Sequence, residues 1–256
     1  MSHTVEHDIA QNVMHLRINR PEKKNALTTD MYTVLADAVD AAREDDDVRC
    51  LLLTGTDGVF SAGNDIGDFL ENPASGDDHP VARFMRTMAA FPKPAVAGVV
   101  GPAVGIGSTV LLHCDLVYAG ASTRFAFPFV NLGICPEFAS SYLMPRFMGY
   151  ARAAELILLG EPFTAEHALS CGLINAVVGD GEAETIARTT AEKLAAKPPH
   201  AMRTSKDLLR RWSREHTQQA IREEAELFMA MLHGDEAKEA FTAFMEKRKP
   251  DFSRFS

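Results

Sequence analysis

The chain has 256 residues, 46% of them hydrophobic and 24% charged, which excludes global disorder and supplies the apolar mass for one full core with a smaller appendage. Its 26 Lys and Arg against 35 Asp and Glu leave a formal charge of −9, a field that repels polyanions and excludes an extended nucleic-acid groove. A small phosphate-bearing ligand needs only a few cations and stays within reach.

Residues 1–10 lack the basic-then-apolar pattern of a signal, and the closing Arg254-Phe255-Ser256 is not a peroxisomal address, so a cytoplasmic location is expected. Residues 13–19 alternate Val13, His15 and Arg17 against Met14, Leu16 and Ile18, the period of a half-buried strand, and Arg20-Pro21 ends it. Thr28 or Thr29 then caps a helix whose apolar positions Met31, Val34, Leu35, Ala38, Val39 and Ala42 keep helical spacing. The acidic run at 44–47 reads as a solvated loop, 48–54 as a fully buried strand, 55–59 as a turn and 94–100 as another buried strand. Between Lys93 and Asp115 there is no formal charge over a span that would cross a bilayer. Gly101-Pro102 in its middle ends any helix begun before it, so a strand, a turn and a buried helix are expected instead.

Strands separated by helices through the first 130 residues imply right-handed crossovers and a largely parallel sheet. From Phe138 onward the pattern is almost entirely helical, with a Thr164 cap, a Gly172 stop and long stretches around 182–196 and 214–233. The last stretch, 235–247, gathers Ala237, Ala240, Phe241, Phe244 and Met245 on one face, which must pack on its own core or on a neighbouring subunit. Cys50, Cys114, Cys135 and Cys171 lie far apart in apolar surroundings, without metal-ligand or C-x-x-C spacing, and read as reduced thiols.

Three segments carry residues able to do chemistry. Gly105-Ile106-Gly107 lacks the third glycine and the acid of a dinucleotide fingerprint. A helix starting near Ile106 would either offer unpaired backbone N–H groups to a polarised oxygen or pack closely through its small residues. Phe60-Ser61-Ala62-Gly63-Asn64-Asp65 would let a ligand approach the backbone, or is an ordinary turn. Glu137, in Cys135-Pro136-Glu137-Phe138-Ala139, has apolar neighbours that would desolvate it and raise its pKa toward that of a general base. The alternative is a first-turn helix glutamate in solvent. His113 and His167 lie in helical patterns, as packed histidines do, and no serine sits in a G-x-S-x-G turn, which argues against a metal centre or a serine hydrolase.

Taken together, Ser61-Ala62-Gly63-Asn64-Asp65, Gly101-Pro102-Ala103-Val104-Gly105-Ile106, Cys114-Asp115 and residues 125–149 resemble the crotonase (enoyl-CoA hydratase/isomerase) superfamily. The likeness runs from Ile18-Asn19-Arg20-Pro21 and Asn25-Ala26-Leu27 to Phe244-Met245-Glu246-Lys247-Arg248. The resemblance implies an α/β fold, a spiral of ββα units over residues 1–195 followed by a helical trimerisation region at 196–256. It also implies a homotrimer or dimer of trimers that binds an acyl-CoA thioester, with no cofactor beyond the CoA of the substrate, no metal, no nucleic acid and no membrane. The family's oxyanion hole maps onto the backbone N–H groups of Asn64 and Ile106. CoA is expected against Ala62, Gly63, Asp65, Ile66 and Gly105, with Lys24 near the adenine and a neighbour's Phe244 or Lys247 close by.

The two acids of the hydratases in this superfamily fall here on Thr109 and Phe129, which leaves Glu137, as in the Δ3,Δ2-enoyl-CoA isomerase subgroup. The implied reaction is a 1,3-proton transfer by Glu137 that converts a 3-enoyl-CoA to the 2-trans-enoyl-CoA in unsaturated fatty acid β-oxidation. Phe127, Phe129, Ile134, Phe138 and Leu143 are expected to keep water out. Residues 70–81 are expected to fold over the acyl channel. The alternatives are another crotonase-fold reaction such as hydration, or an acyl-CoA binder with Glu137 in solvent.

Overall fold

A computed structural model of the chain describes residues 4–72, 76 and 78–255. The readings that fall on residues 1–3, 73–75, 77 and 256 lie outside them, including part of the segment expected over the acyl channel. The chain opens with β1 (Val5–Ala10) and β2 (Val13–Ile18), an antiparallel hairpin turned by Gln11 and Asn12, both at positive φ, the geometry that matches strand twist in a two-residue loop. Then follow α1 (Thr29–Glu44), β3 (Cys50–Thr54), α2 (Ile66–Glu71), α3 (Pro80–Ala89), β4 (Ala95–Val99) and β5 (Pro102–Val104). Next come α4 (Ile106–Thr109), which tightens into a 3-10 turn at Val110–His113, β6 (Leu116–Gly120), β7 (Arg124–Ala126), α5 (Ser140–Met148) and α6 (Tyr150–Leu159). The chain closes with β8 (Phe163–Thr164), α7 (Ala165–Ser170), β9 (Ala176–Val178), α8 (Ala183–Ala195), α9 (Pro199–Leu232) and α10 (Asp235–Met245).

The main sheet runs in the order β1-β2-β3-β4-β6-β9, parallel throughout except for the first hairpin. A small second sheet, β5-β7-β8, stands beside it. The expected strands and parallel order are present, with two corrections. The strand at 13–18 is not half-buried, because α8 lays Ala187, Ala191 and Ala195 over Val13, Cys50, Leu52 and Val96, while Met14, Leu16, Leu51 and Leu53 on the other face pack into the main core that α1 joins. The second half is not almost all helix, since β8 pairs with β7 and β9 closes the far edge of the main sheet. Strands of two and three residues are too short to show a period.

Thr28 is the N-cap of α1, its hydroxyl accepting the Met31 N–H. The start of α9 is tied to the sheet by Lys206, whose buried Nζ donates to Lys93 O at 2.6 Å and to Asp115 Oδ2 at 2.7 Å. Asp115 also accepts the Ala95 N–H, so this carboxylate joins α9 to the edges of β4 and β6. Lys206→Met is expected to destabilise the protein by about 2 kcal/mol, less than the full cost of breaking a buried pair because Asp115 keeps Arg210 and the Ala95 N–H. Urea denaturation measures it. No helix among the described residues is long and apolar enough to cross a membrane.

Candidate active site

Two loops remote in sequence are laced side by side. The Ser61 N–H donates to Pro102 O and its carbonyl accepts the Val104 N–H, both at 3.0 Å. On the other flank Leu27 donates to Gly63 O at 2.8 Å and accepts the Asp65 N–H at 2.8 Å. Successive N–H groups of an extended segment point to opposite sides, so the Asn64 N–H turns away from Leu27. Gly63 has φ +93°, and a Cβ on Gly107 would stand 2.7 Å from Ser61 O, so the close approach of the loops requires these glycines. Gly105 caps α4, its carbonyl accepting the N–H groups of Ser108 at 2.8 Å and Thr109 at 2.9 Å. The Ile106 N–H, at the first helical position, has no carbonyl within the helix to meet.

Thr109, at the end of α4, donates its hydroxyl to Glu137 Oε1. Glu137 is 6% exposed, and its Oε2 has no partner among the described residues. Burial pushes its carboxyl up to about 8, against the pull of the Thr109 hydrogen bond and with a further push from the Glu224 charge. The solvent-exposed reading of Glu137 is therefore set aside. The carboxyl faces a cleft of roughly 520 Å³ that Asn64 also lines. The cleft walls are Phe69 of α2, Val81 and Met85 of α3, Phe138, and Ile221, Phe228 and Met229 of α9.

Phe138 and Ala139, directly after Glu137, have φ of 60° and 58°. Left-handed backbone at non-glycine residues costs about 1–2 kcal/mol each, so the corner has to be held from outside. His113 Nε2 donates to Phe138 O at 2.8 Å, and its ring stacks on Phe138 at 4.0 Å. Burial lowers the His113 pKa to about 3, so the ring is the neutral, packed histidine the sequence indicates.

Of the expected CoA contacts, Lys24 is exposed, and its carbonyl accepts the Ala62 N–H at 3.0 Å, which sets it beside the 61–65 loop. Ile66 is half-buried at the start of α2. The Asp65 side chain is taken up locally: Oδ1 caps α2 through the Asp68 N–H at 3.2 Å and Oδ2 meets Arg20 at 2.7 Å. Burial works against the Asp65 charge, but these bonds outweigh it and hold the carboxyl below its usual range.

The expected water barrier needs correction. Phe129 is 4% exposed in the core and does not line the cleft, nor do Phe127, Ile134 or Leu143; of the five only Phe138 does. The walls come instead from α2, α3 and α9, segments remote in sequence from Glu137. Sequence reasoning saw Thr109 only as a missing acid and passed over Tyr32, whose buried hydroxyl donates to Asn64 Oδ1 at 2.5 Å. A polar residue at a buried helical position was the available signal. No group of three or more His, Cys, Asp or Glu that could hold a metal occurs among the described residues.

The sequence matches the family model described as enoyl-CoA hydratase/isomerase over residues 8–254. It is 35% identical to the human enoyl-CoA delta isomerase 2 over 92% of this chain and 61% of that protein. It is 32% identical to the 2,3-dehydroadipyl-CoA hydratase of Escherichia coli K12, over 94% of this chain and 95% of that one. The crystal structure of an enoyl-CoA hydratase/isomerase from Pseudoalteromonas atlantica T6c superposes with a TM-score of 0.93 at 40% identity, covering 98% of this chain and 100% of that one. The chain thus spans about three fifths of the length of the delta isomerase and nearly all of the hydratase.

Proposed function

The chain belongs to the enoyl-CoA hydratase/isomerase family and has its crotonase fold, and from that premise we propose that it acts on an acyl-CoA thioester and shifts the double bond of a 3-enoyl-CoA to the 2-trans position. The setting proposed is the oxidation of unsaturated fatty acids. The observation that carries the reading is Glu137: a buried carboxyl in an otherwise largely apolar cleft, one oxygen held by Thr109 and the other without a partner among the described residues. Conjugating a double bond needs one base that can also return the proton, and it needs water kept out.

In this reading the thioester carbonyl accepts the N–H groups of Asn64 and Ile106. Glu137 Oε2 takes the C2 proton, and the electron pair of the broken C–H bond delocalises into the carbonyl to give a dienolate, held by the two amides. Protonated Glu137 then delivers the same proton to C4, and the double bond comes to rest between C2 and C3. Activating a water for hydration calls for a second acid positioned beside the first; here a threonine hydroxyl meets Glu137, and the other carboxylate of the cleft, Glu226, is exposed on α9. CoA would run past Ala62, Gly63, Gly105 and Ile66 with Lys24 near its adenine. The exposed Leu209 and Trp212 of α9 and Phe244 of α10 would be covered by neighbouring copies in a trimer.

The test is direct. Purified protein mixed with a 3-enoyl-CoA should raise the absorbance of the conjugated 2-enoyl thioester, and with a 2-enoyl-CoA it should form little 3-hydroxyacyl product. Efficient hydration without isomerisation would refute the reading. Thr109→Val keeps the shape and removes the donor that favours ionised Glu137. The carboxyl pKa should rise further, so kcat at pH 7 should fall about tenfold and recover above pH 9. A pH–rate profile of the variant checks both signs.

A further inference from the structure

Glu224 is a buried carboxylate, 6% exposed, that the proton transfer does not use. It is met by neutral donors: the Ala139 N–H at 2.5 Å, the Ser141 N–H at 2.9 Å and the Ser141 hydroxyl. Those donors form the corner directly after Glu137, where two successive non-glycine residues are left-handed. On the other side of the base, the Cys135 thiol lies 3.6 Å from the backbone carbonyl of Glu224 and donates to it. One residue of α9 therefore grips the chain on both flanks of Glu137.

A cap for α5 needs no distant carboxylate. Ala139 supplies no side-chain cap, and a Ser or Asp there could accept the Ser141 N–H locally. Supplying the acceptor from 85 residues away has a different consequence. Ile221, Ala225 and Phe228 of the same helix line the cleft, so the corner is complete only when α9 is seated over the acyl site. We infer that Glu224 is a positioning residue for Glu137, aligning the base through residues 135 and 139–141 when α9 covers the cleft. The inference rests on the isomerase reading for its kinetic test alone.

The ionisable groups around Glu137 are Tyr32 on α1, Asp68 on α2, His113 behind Phe138, Cys135 on the same loop, and Arg222, Glu224 and Glu226 on α9. Burial keeps the Tyr32 hydroxyl and the Cys135 thiol protonated and His113 neutral near pH 7. Asp68 is bonded to Thr29, and Arg222 and Glu226 are exposed. Glu224 is thus the charge that Glu137 feels at close range.

Infrared difference titration of the carboxyl stretch, with the Glu137 band identified by its loss in Glu137→Gln, reads the base without turnover. In Glu224→Gln the midpoint of that band should fall by about 1 in pH. In the same variant kcat for a 3-enoyl-CoA should fall by about 10–100-fold, while KM stays within about threefold, as for a misaligned base in an intact binding site. Glu224→Asp should restore the midpoint and only part of kcat. A folded Glu224→Gln with kcat unmoved overturns the inference, whatever the midpoint does, since losing the nearby charge alone lowers the midpoint. Should that variant fail to fold, Ser141→Ala removes one grip on Glu224, and an unchanged kcat there overturns it equally. If the wild-type protein turns over no 3-enoyl-CoA, the isomerase reading fails, while the frequency of the Glu137 carboxyl stretch, which reports its hydrogen bond to Thr109, still decides the role of Glu224: an unshifted frequency in Glu224→Gln overturns it.

Discussion

Glu137→Gln should lower kcat for 3-enoyl-CoA isomerisation by about 10³–10⁴-fold with KM little changed, the upper range for loss of a general base. Glutamine fills the same volume and still accepts from Thr109, so the fold and the acyl site survive while the proton carrier is gone. The wild-type pH profile provides the companion measurement. Burial, opposed by Thr109 and aided by Glu224, puts the Glu137 carboxyl up at about 8, and the base acts only when ionised. Activity should therefore rise through about pH 8 and decline on the acid side.

Stability should run the opposite way. A carboxyl whose pKa is raised in the folded protein favours folding while it stays protonated, below about pH 4.5. That contribution is lost as the pH climbs through about 8. Glu137→Gln carries no such penalty, so its Tm should overtake that of the wild type between those limits. A variant Tm that tracks the wild type at every pH would show that the carboxyl is not buried in solution.

Gly107→Ala is the second large effect. The new Cβ would lie 2.7 Å from Ser61 O and 3.0 Å from Ser61 Cβ, so the start of α4 and the 61–65 loop must move apart. Those segments carry the Ile106 and Asn64 N–H groups, and misplacing one donor to a developing oxyanion costs about 10²–10³-fold in kcat. The loss should fall on kcat rather than KM, because the amides act most strongly on the dienolate. Far-ultraviolet circular dichroism should be unchanged. An Ala variant with wild-type kcat would mean that the hole is not built from these two loops.

Much of this was legible in the chain itself. The strands at 13–18, 50–54 and 95–99, the Thr28 cap and the break at Gly101-Pro102 follow from local periods and backbone sterics, which act within a few residues. The small residues of 61–65 and 105–107 stand out in the sequence, and the structure uses Gly63 and Gly107 where backbone comes close to backbone and Gly105 for a positive φ before α4. For Glu137 the local sequence allowed both a buried base and a solvated first-turn glutamate, and the resemblance favoured the base, because burial is not a property of the five residues around it.

Only the tertiary structure decided what surrounds that carboxyl. Thr109 meets it from 28 residues away, and Glu224 holds the corner beside it from 85 residues beyond Ala139. The walls of the cleft come from α2, α3 and α9 instead of the phenylalanines next to Glu137 in sequence. A residue's neighbours along the chain set its backbone propensities. Its solvation and hydrogen bonds are set by whichever segments the chain crossings bring against it, and those leave no periodic trace in the sequence.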